Sequence, residues 1–158
     1  MHYGSLIAAA PASTDDLARR IRCRALEMVT RARASHIGSA LSIADIVAVL
    51  YGRVLRVDPA APDHPDRDRF ILSKGHACVA VYAALAETGF IDPALLETYG
   101  TDGSMLMAHI SHKVPGAEFS TGALGHGLPF GTGKALAARR HAKEWRTVVL
   151  TSDGEWGE

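Results

Sequence analysis

Cysteine is scarce in this sequence: Cys23 and Cys78 are the only two. Two thiols so far apart make no metal-type spacing, which excludes a thiolate zinc site and a disulfide framework. Both lie in helix-like apolar stretches and read as buried thiols of a reducing compartment. An excess of charge of either sign is also missing. Lys plus Arg and Asp plus Glu both number 17, so no global charge draws the chain to nucleic acid or to an anionic membrane. No apolar run approaches the roughly 20 residues of a spanning helix. The stretch 6–10 is too short for a secretory signal. The expectation is a cytoplasmic protein with neither nucleic acid nor membrane as partner. Internal repeats and low-complexity tracts are absent as well.

What is present has the balance of an ordinary globular domain, 47% hydrophobic and 22% charged. Residues 1–13 read as a flexible arm. A first helix is expected from Thr14 or Asp15 to about Ala34, with Leu17, Ile21, Met28, Val29 and Ala32 as its inner stripe. Its many arginines read as a solvated face. A second helix should begin after Ser42, with Asp45 as a capping-box partner. Its residues Ile46, Val47, Val49, Leu50 and Leu55 are apolar almost all round, which predicts deep burial. The loop carrying Pro59, Pro62 and Pro65 with Asp58, Asp63, Asp66 and Asp68 reads as a surface excursion without chemistry.

Arg69 to Leu72 is a strand candidate. A small-residue helix follows from about Ala77 to Glu87 and ends at Gly89. Asp92 or Pro93 opens a short helix to Tyr99, and the pattern then dissolves into a polar loop. A glycine-rich turn from Gly122 feeds an Ala-rich helix reaching His141. Thr147 to Leu150 is β-branched and apolar, a strand expected to be fully buried. Strand, glycine turn and helix alternate, so the class is α/β with a parallel sheet and flanking helices.

The chemistry-bearing clusters fall at the breaks between elements. They are Ser35-His36-Ile37-Gly38-Ser39, Ser73-Lys74-Gly75-His76-Ala77, His109-Ile110-Ser111-His112-Lys113 and the run from Ser120 to Gly127. Imidazole titrates near neutrality and both gives and takes protons. Several imidazoles around one strand-end crevice suit a reaction that moves protons on and off hydroxyls and carbonyls. Gly122, Gly125, Gly127, Gly131 and Gly133 allow close backbone approach, where a flat heterocycle or a phosphate can sit at the following helix N-terminus. Asp153-Gly154 places a carboxylate just past a strand end, where ligands bind in open α/β sheets and a hard divalent cation can be held. Two nucleotide motifs fail. Leu128 stands where a Walker A loop needs its first glycine and Ala135 where it needs Ser or Thr, and no Gly-x-Gly-x-x-Gly follows a strand.

Taken in order, these clusters resemble the N-terminal part of transketolase, a thiamine-diphosphate enzyme. Ser35-His36-Ile37-Gly38-Ser39 is similar to its Ser-Gly-His-Pro-Gly region, and Asp68 to Ala77 to the segment ending in Gly-His-Ala. Pro115 to Gly127 is similar to its Pro-Gly-Val-Glu…Thr-Gly…Leu-Gly-Gln-Gly stretch, and Ser152-Asp153-Gly154 to the start of its Gly-Asp-Gly motif. The resemblance runs from about residue 15 to 158 and is closest to transketolases whose two halves are separate chains.

It implies a thiamine-diphosphate-binding fold, here incomplete at the C-terminus because the family's metal-binding Asn lies further along the chain. It implies that His36, His76 and His109 are catalytic. It assigns His76, Gly122, Ala123, Leu124, Asp153 and Gly154 to the cofactor, with Asp153 ligating Mg²⁺ or Ca²⁺. Glu158 matches an acidic residue placed toward the family's dimer interface.

The implied reaction moves a two-carbon ketol unit from a ketose phosphate to an aldose phosphate. The implied partner is a C-terminal pyrimidine-domain subunit or section, in a homo- or hetero-oligomer, without which the 158-residue chain is expected to be inactive. Three departures stand out: Ser152 for the first glycine of Gly-Asp-Gly, His126 where Gln is common, and His109-Ile110-Ser111 for His-Pro-Asp or His-Pro-Glu. His112 is an alternative to His109 at the sugar. Alternative functions are another thiamine-diphosphate ketol or acyl transferase, such as deoxyxylulose-phosphate synthase, and a truncated domain that only binds a partner chain.

Overall fold

The computed structural model describes residues 12–158. The expected N-terminal arm therefore lies almost wholly outside the described residues. Helix α1 spans Thr14–Ala32; Ser13 caps it, its hydroxyl accepting from the Asp16 backbone N–H at 3.1 Å. Left-handed Arg33 ends the helix, two residues before the expected boundary. Leu17, Ile21, Met28 and Val29 are buried as the stripe requires, whereas Ala32 is half-buried.

Two short helices follow, α2 (Ile37–Leu41) and α3 (Ala44–Val49), and a π-turn over Leu50–Val54. The capping box does not form: the Ser42 hydroxyl donates to Ser39 O, and Asp45 pairs with Arg22. Deep burial all round is also corrected. Val47 and Leu50 are buried, but Ile46 and Val49 face outward, because α3 packs on α1 and α4 along one side only. Leu55 is half-buried.

The sheet has two parallel strands, β1 (Arg69–Leu72) and β2 (Thr147–Leu150), paired from Arg69 with Thr147 to Leu72 with Leu150. β1 is buried throughout. In β2 only Leu150 is, which corrects the expectation of a fully buried strand. β1 is its only strand neighbour among the described residues, and a strand paired along one edge keeps its other edge open.

Between the strands the chain forms α4 (Cys78–Glu87), a 3₁₀ turn at Pro93–Thr98, an irregular loop and α5 (Gly127–Arg140). Helix α4 is buried from Cys78 to Ala86, and its alanines let α1 lie close against it. Fully burying an Ile71- or Leu85-sized side chain stabilises by about 1.5–3 kcal/mol. Helix α5 lies on both strands; at Gly131 any Cβ would overlap the Val149 side chain. Cys78 is buried as expected, and burial pushes its thiol up to about 12. Cys23, expected inside, is exposed on α1.

The loop read as free of chemistry holds a buried carboxylate. Asp68, fully buried, accepts from the backbone N–H of Arg56 at 2.9 Å and of Arg146 at 2.8 Å, and from both guanidinium groups. Burial alone would raise its pKa. The hydrogen bonds from Arg146 and Arg56 outweigh that and hold it well below the usual carboxylate range.

Candidate active site

The carboxyl end of β1 runs directly into Ser73-Lys74-Gly75-His76. The 3₁₀ turn Gly75–Ala77 turns His76 out of the core into a half-exposed position. Gly75 is a contact point for two loops. Its carbonyl accepts from Ile110 N–H at 3.1 Å, and a Cβ here would lie 2.6 Å from Thr121 Oγ1. Only a glycine allows that approach. The Thr121 hydroxyl donates to Leu72 O at 2.6 Å. Two segments distant in sequence are thereby pinned beside His76, one carrying His109 and the other Gly122.

The three candidate histidines converge. The His36 and His76 rings are 5.1 Å apart and the His36 and His109 rings 6.2 Å. His36 reaches the cluster in a left-handed backbone conformation (φ 72°) at the start of α2. Such a conformation costs a non-glycine residue about 1 kcal/mol or more and recurs at functional sites. His109 is held through its backbone, its carbonyl accepting from the Tyr82 hydroxyl at 3.0 Å, and its ring lies 3.5 Å from where a Gly122 side chain would begin.

Burial lowers the pKa of His76, and the neighbouring His36, Lys74 and His109 lower it further. The ring is thereby kept in its neutral, proton-accepting form. Lys74 is itself buried, its Nζ 3.2 Å from Ser42 Oγ and 3.4 Å from Ser39 O. Burial lowers its pKa, opposed by Glu155 and Asp153.

The remaining candidates sit on the loops that follow the two strands. Gly122, Ala123 and Leu124 are exposed on the loop before α5. Asp153 and Gly154 are exposed past the end of β2, with open space where a Gly154 side chain would be. His112 is bound elsewhere: its backbone N–H donates to Ser120 Oγ at 2.9 Å and its Nδ1 lies 2.7 Å from the same oxygen. Glu158 lies over Gly125. A cavity of about 580 Å³ between α1 and Tyr51 is lined by none of the candidate residues.

Sequence reasoning passed over Glu155. This buried carboxylate sits between the two strand ends and the glycine loop, accepting from Ser73, Gly125 and Ser152. Burial alone would raise its pKa; these donors outweigh that and lower it. The only signal in the sequence was an acidic residue after Asp-Gly.

A family model described as the transketolase thiamine diphosphate binding domain matches residues 13–149. The chain belongs to this family. This thiamine diphosphate binding domain is 45% identical over 137 residues to an apulose-4-phosphate transketolase subunit from Phocaeicola vulgatus, covering 87% of this chain and 49% of that one. It is 38% identical over 139 residues to a 6-deoxy-6-sulfo-D-fructose transketolase subunit from a Clostridium species, covering 87% and 50%. Its fold superposes on transketolase from Leishmania mexicana with a TM-score of 0.88 at 33% identity, over 93% of this chain and 24% of that one. The chain thus spans about half the length of the subunit-type relatives it matches. No helix among the described residues is long and apolar enough to cross a membrane.

Proposed function

We propose that this domain supplies the thiamine-diphosphate-binding half of a cytoplasmic transketolase, moving a two-carbon ketol unit from a ketose phosphate to an aldose phosphate. It works in an oligomer with a pyrimidine-domain subunit or section. The observation that carries the reading is the convergence of His36, His76 and His109 beside Gly122 at the carboxyl end of β1. The two subunit relatives are both named as transketolases, for different sugars, which supports a common ketol chemistry.

The residues suit the cofactor. Gly122 and Ala123 expose backbone for close approach, and Leu124 presents an apolar side chain, 41% exposed, to a flat ring. Among the described residues no three His, Cys, Asp or Glu are grouped to hold a metal. A single carboxylate, Asp153, beside the open backbone of Gly154 fits a Mg²⁺ or Ca²⁺ whose other ligands include diphosphate oxygens; it does not fit an all-protein cage. Thiamine diphosphate, when bound, supplies the ylid and electron sink.

The chain's own residues do the rest. Neutral His76 accepts a proton from a sugar hydroxyl, and His36 and His109 hold neighbouring hydroxyls and exchange protons with them. Gly122 to Leu124 orient the ring, and Asp153 with Gly154 fixes the diphosphate end.

The test is calorimetric titration of the whole protein with thiamine diphosphate and Mg²⁺, followed by ketol transfer with the pyrimidine-domain partner present. Saturable, Mg²⁺-dependent binding that Asp153→Ala abolishes supports the reading. Absence of binding by the wild-type protein overturns it.

A further inference from the structure

Glu155 lies two residues past Asp153, yet its carboxylate has no room for a metal ion. Oε1 accepts from the Ser73 hydroxyl at 2.6 Å and the Gly125 N–H at 3.0 Å. Oε2 accepts from the Ser152 N–H at 2.7 Å and the Ser152 hydroxyl at 3.2 Å. A carboxylate offers about four acceptor sites, so these donors saturate it. The side chain is buried.

The donors come from three separate segments. Ser73 follows β1 and precedes Lys74-Gly75-His76. Ser152 follows β2 and precedes Asp153-Gly154. Gly125 belongs to the loop that carries Gly122, Ala123 and Leu124. The Ser73 hydroxyl also accepts from the Gly127 N–H at 3.2 Å, which draws in the first residue of α5.

We propose that Glu155 is a positioning residue that joins the two strand ends and the glycine loop into one frame, setting Asp153 and Gly154 at the right distance from Gly122 to Leu124 and from His76. Charge-assisted hydrogen bonds are the strong ones, and a buried network with every member satisfied is rigid. The Ser152 hydroxyl supplies the fourth donor.

The inference rests on the reading of this crevice as a Mg²⁺–thiamine diphosphate site. It says that the site's span is held by a residue that touches neither metal nor cofactor.

The experiment uses the whole protein and four variants: Ser73→Ala, Ser152→Gly, Glu155→Gln, and Ile71→Val as a purely structural control. Mg²⁺–thiamine diphosphate affinity is measured by calorimetry, and thermal unfolding is followed without cofactor. Losing a residue that orients a metal ligand from behind typically costs 10–100-fold in affinity. That range is expected for Ser73→Ala and Glu155→Gln, with a smaller loss for Ser152→Gly, which keeps its N–H. Ile71→Val should lower the unfolding temperature and leave affinity unchanged. Should Glu155→Gln not fold, Ser73→Ala, which removes a single hydroxyl, carries the test. Wild-type affinity in the Ser73 and Glu155 variants, or a loss no greater than that of Ile71→Val, overturns the positioning role while the functional reading stands. Absence of binding by the wild-type protein overturns both.

Discussion

Gly75 and Thr121 are in direct backbone contact, so close that no Cβ fits between them. This approach brings the Thr121–Gly122 segment beside the His76 turn. Gly75→Ala is expected to push the Thr121–Gly122 segment away, strain the His76 turn and destabilise the domain by about 1–3 kcal/mol, the usual range for overpacking. Urea unfolding gives the stability change. Unchanged stability together with unchanged cofactor affinity in Gly75→Ala would show that the contact does not constrain the loop.

Asp68 predicts an acid-sensitive link between β1, the segment before β2 and the end of the π-turn. Its folded-state pKa is depressed, so its contribution is present above the ordinary Asp value of about 4 and is lost as pH falls below it toward the folded value. Asp68→Ala leaves two backbone N–H groups and two guanidinium groups without their acceptor. It should cost about 2–4 kcal/mol at pH 7, with the difference from wild type shrinking as pH is lowered to about 3. A difference that stays constant with pH would argue against an ionised Asp68 as the source.

His36 sits in a left-handed conformation that glycine adopts freely. His36→Gly is therefore expected to leave stability unchanged or raise it by up to about 1 kcal/mol, while ketol transfer falls by about 100-fold or more through loss of a proton-transferring group. Activity should fall without any loss of stability. Parallel loss of stability and activity would assign His36 a packing role instead.

His76 should remain neutral through physiological pH, because burial and then His36, Lys74 and His109 lower its pKa. The unfolded state therefore binds more protons than the folded state in the window below about 6.5, and stability falls as pH drops through it. Lys74→Met removes one of the three neighbouring causes and keeps the chain length of a buried side chain. The His76 resonance, followed by nitrogen-detected NMR, should then titrate at higher pH than in wild type. An unchanged midpoint would mean that Lys74 does not act on His76.

Much of this was legible along the chain because it depends on local chemistry. The start of α1 near Thr14, Gly89 as a helix stop, Arg69–Leu72 as a strand and the breaks holding His36, His76 and His109 all follow from residues close in sequence. Burial was less legible. Thr147–Leu150 has the composition of a buried strand, but its exposure depends on how many neighbours pair with it. Ile46 and Val49 are as apolar as Val47, and only the one-sided packing of α3 separates them.

The order of residues alone was enough for the α/β alternation, for the histidine and glycine clusters at its breaks and for the family to which the chain belongs. These are set by turn residues, periodicity and short motifs. Which distant groups are joined was a matter for the folded chain. Ser73 bonds Glu155 across 82 residues, and Asp68 bonds Arg146 across 78. A buried carboxylate must find donors wherever the fold brings them, and no spacing rule along the chain encodes partners that meet only when two strand ends and a loop close on one another.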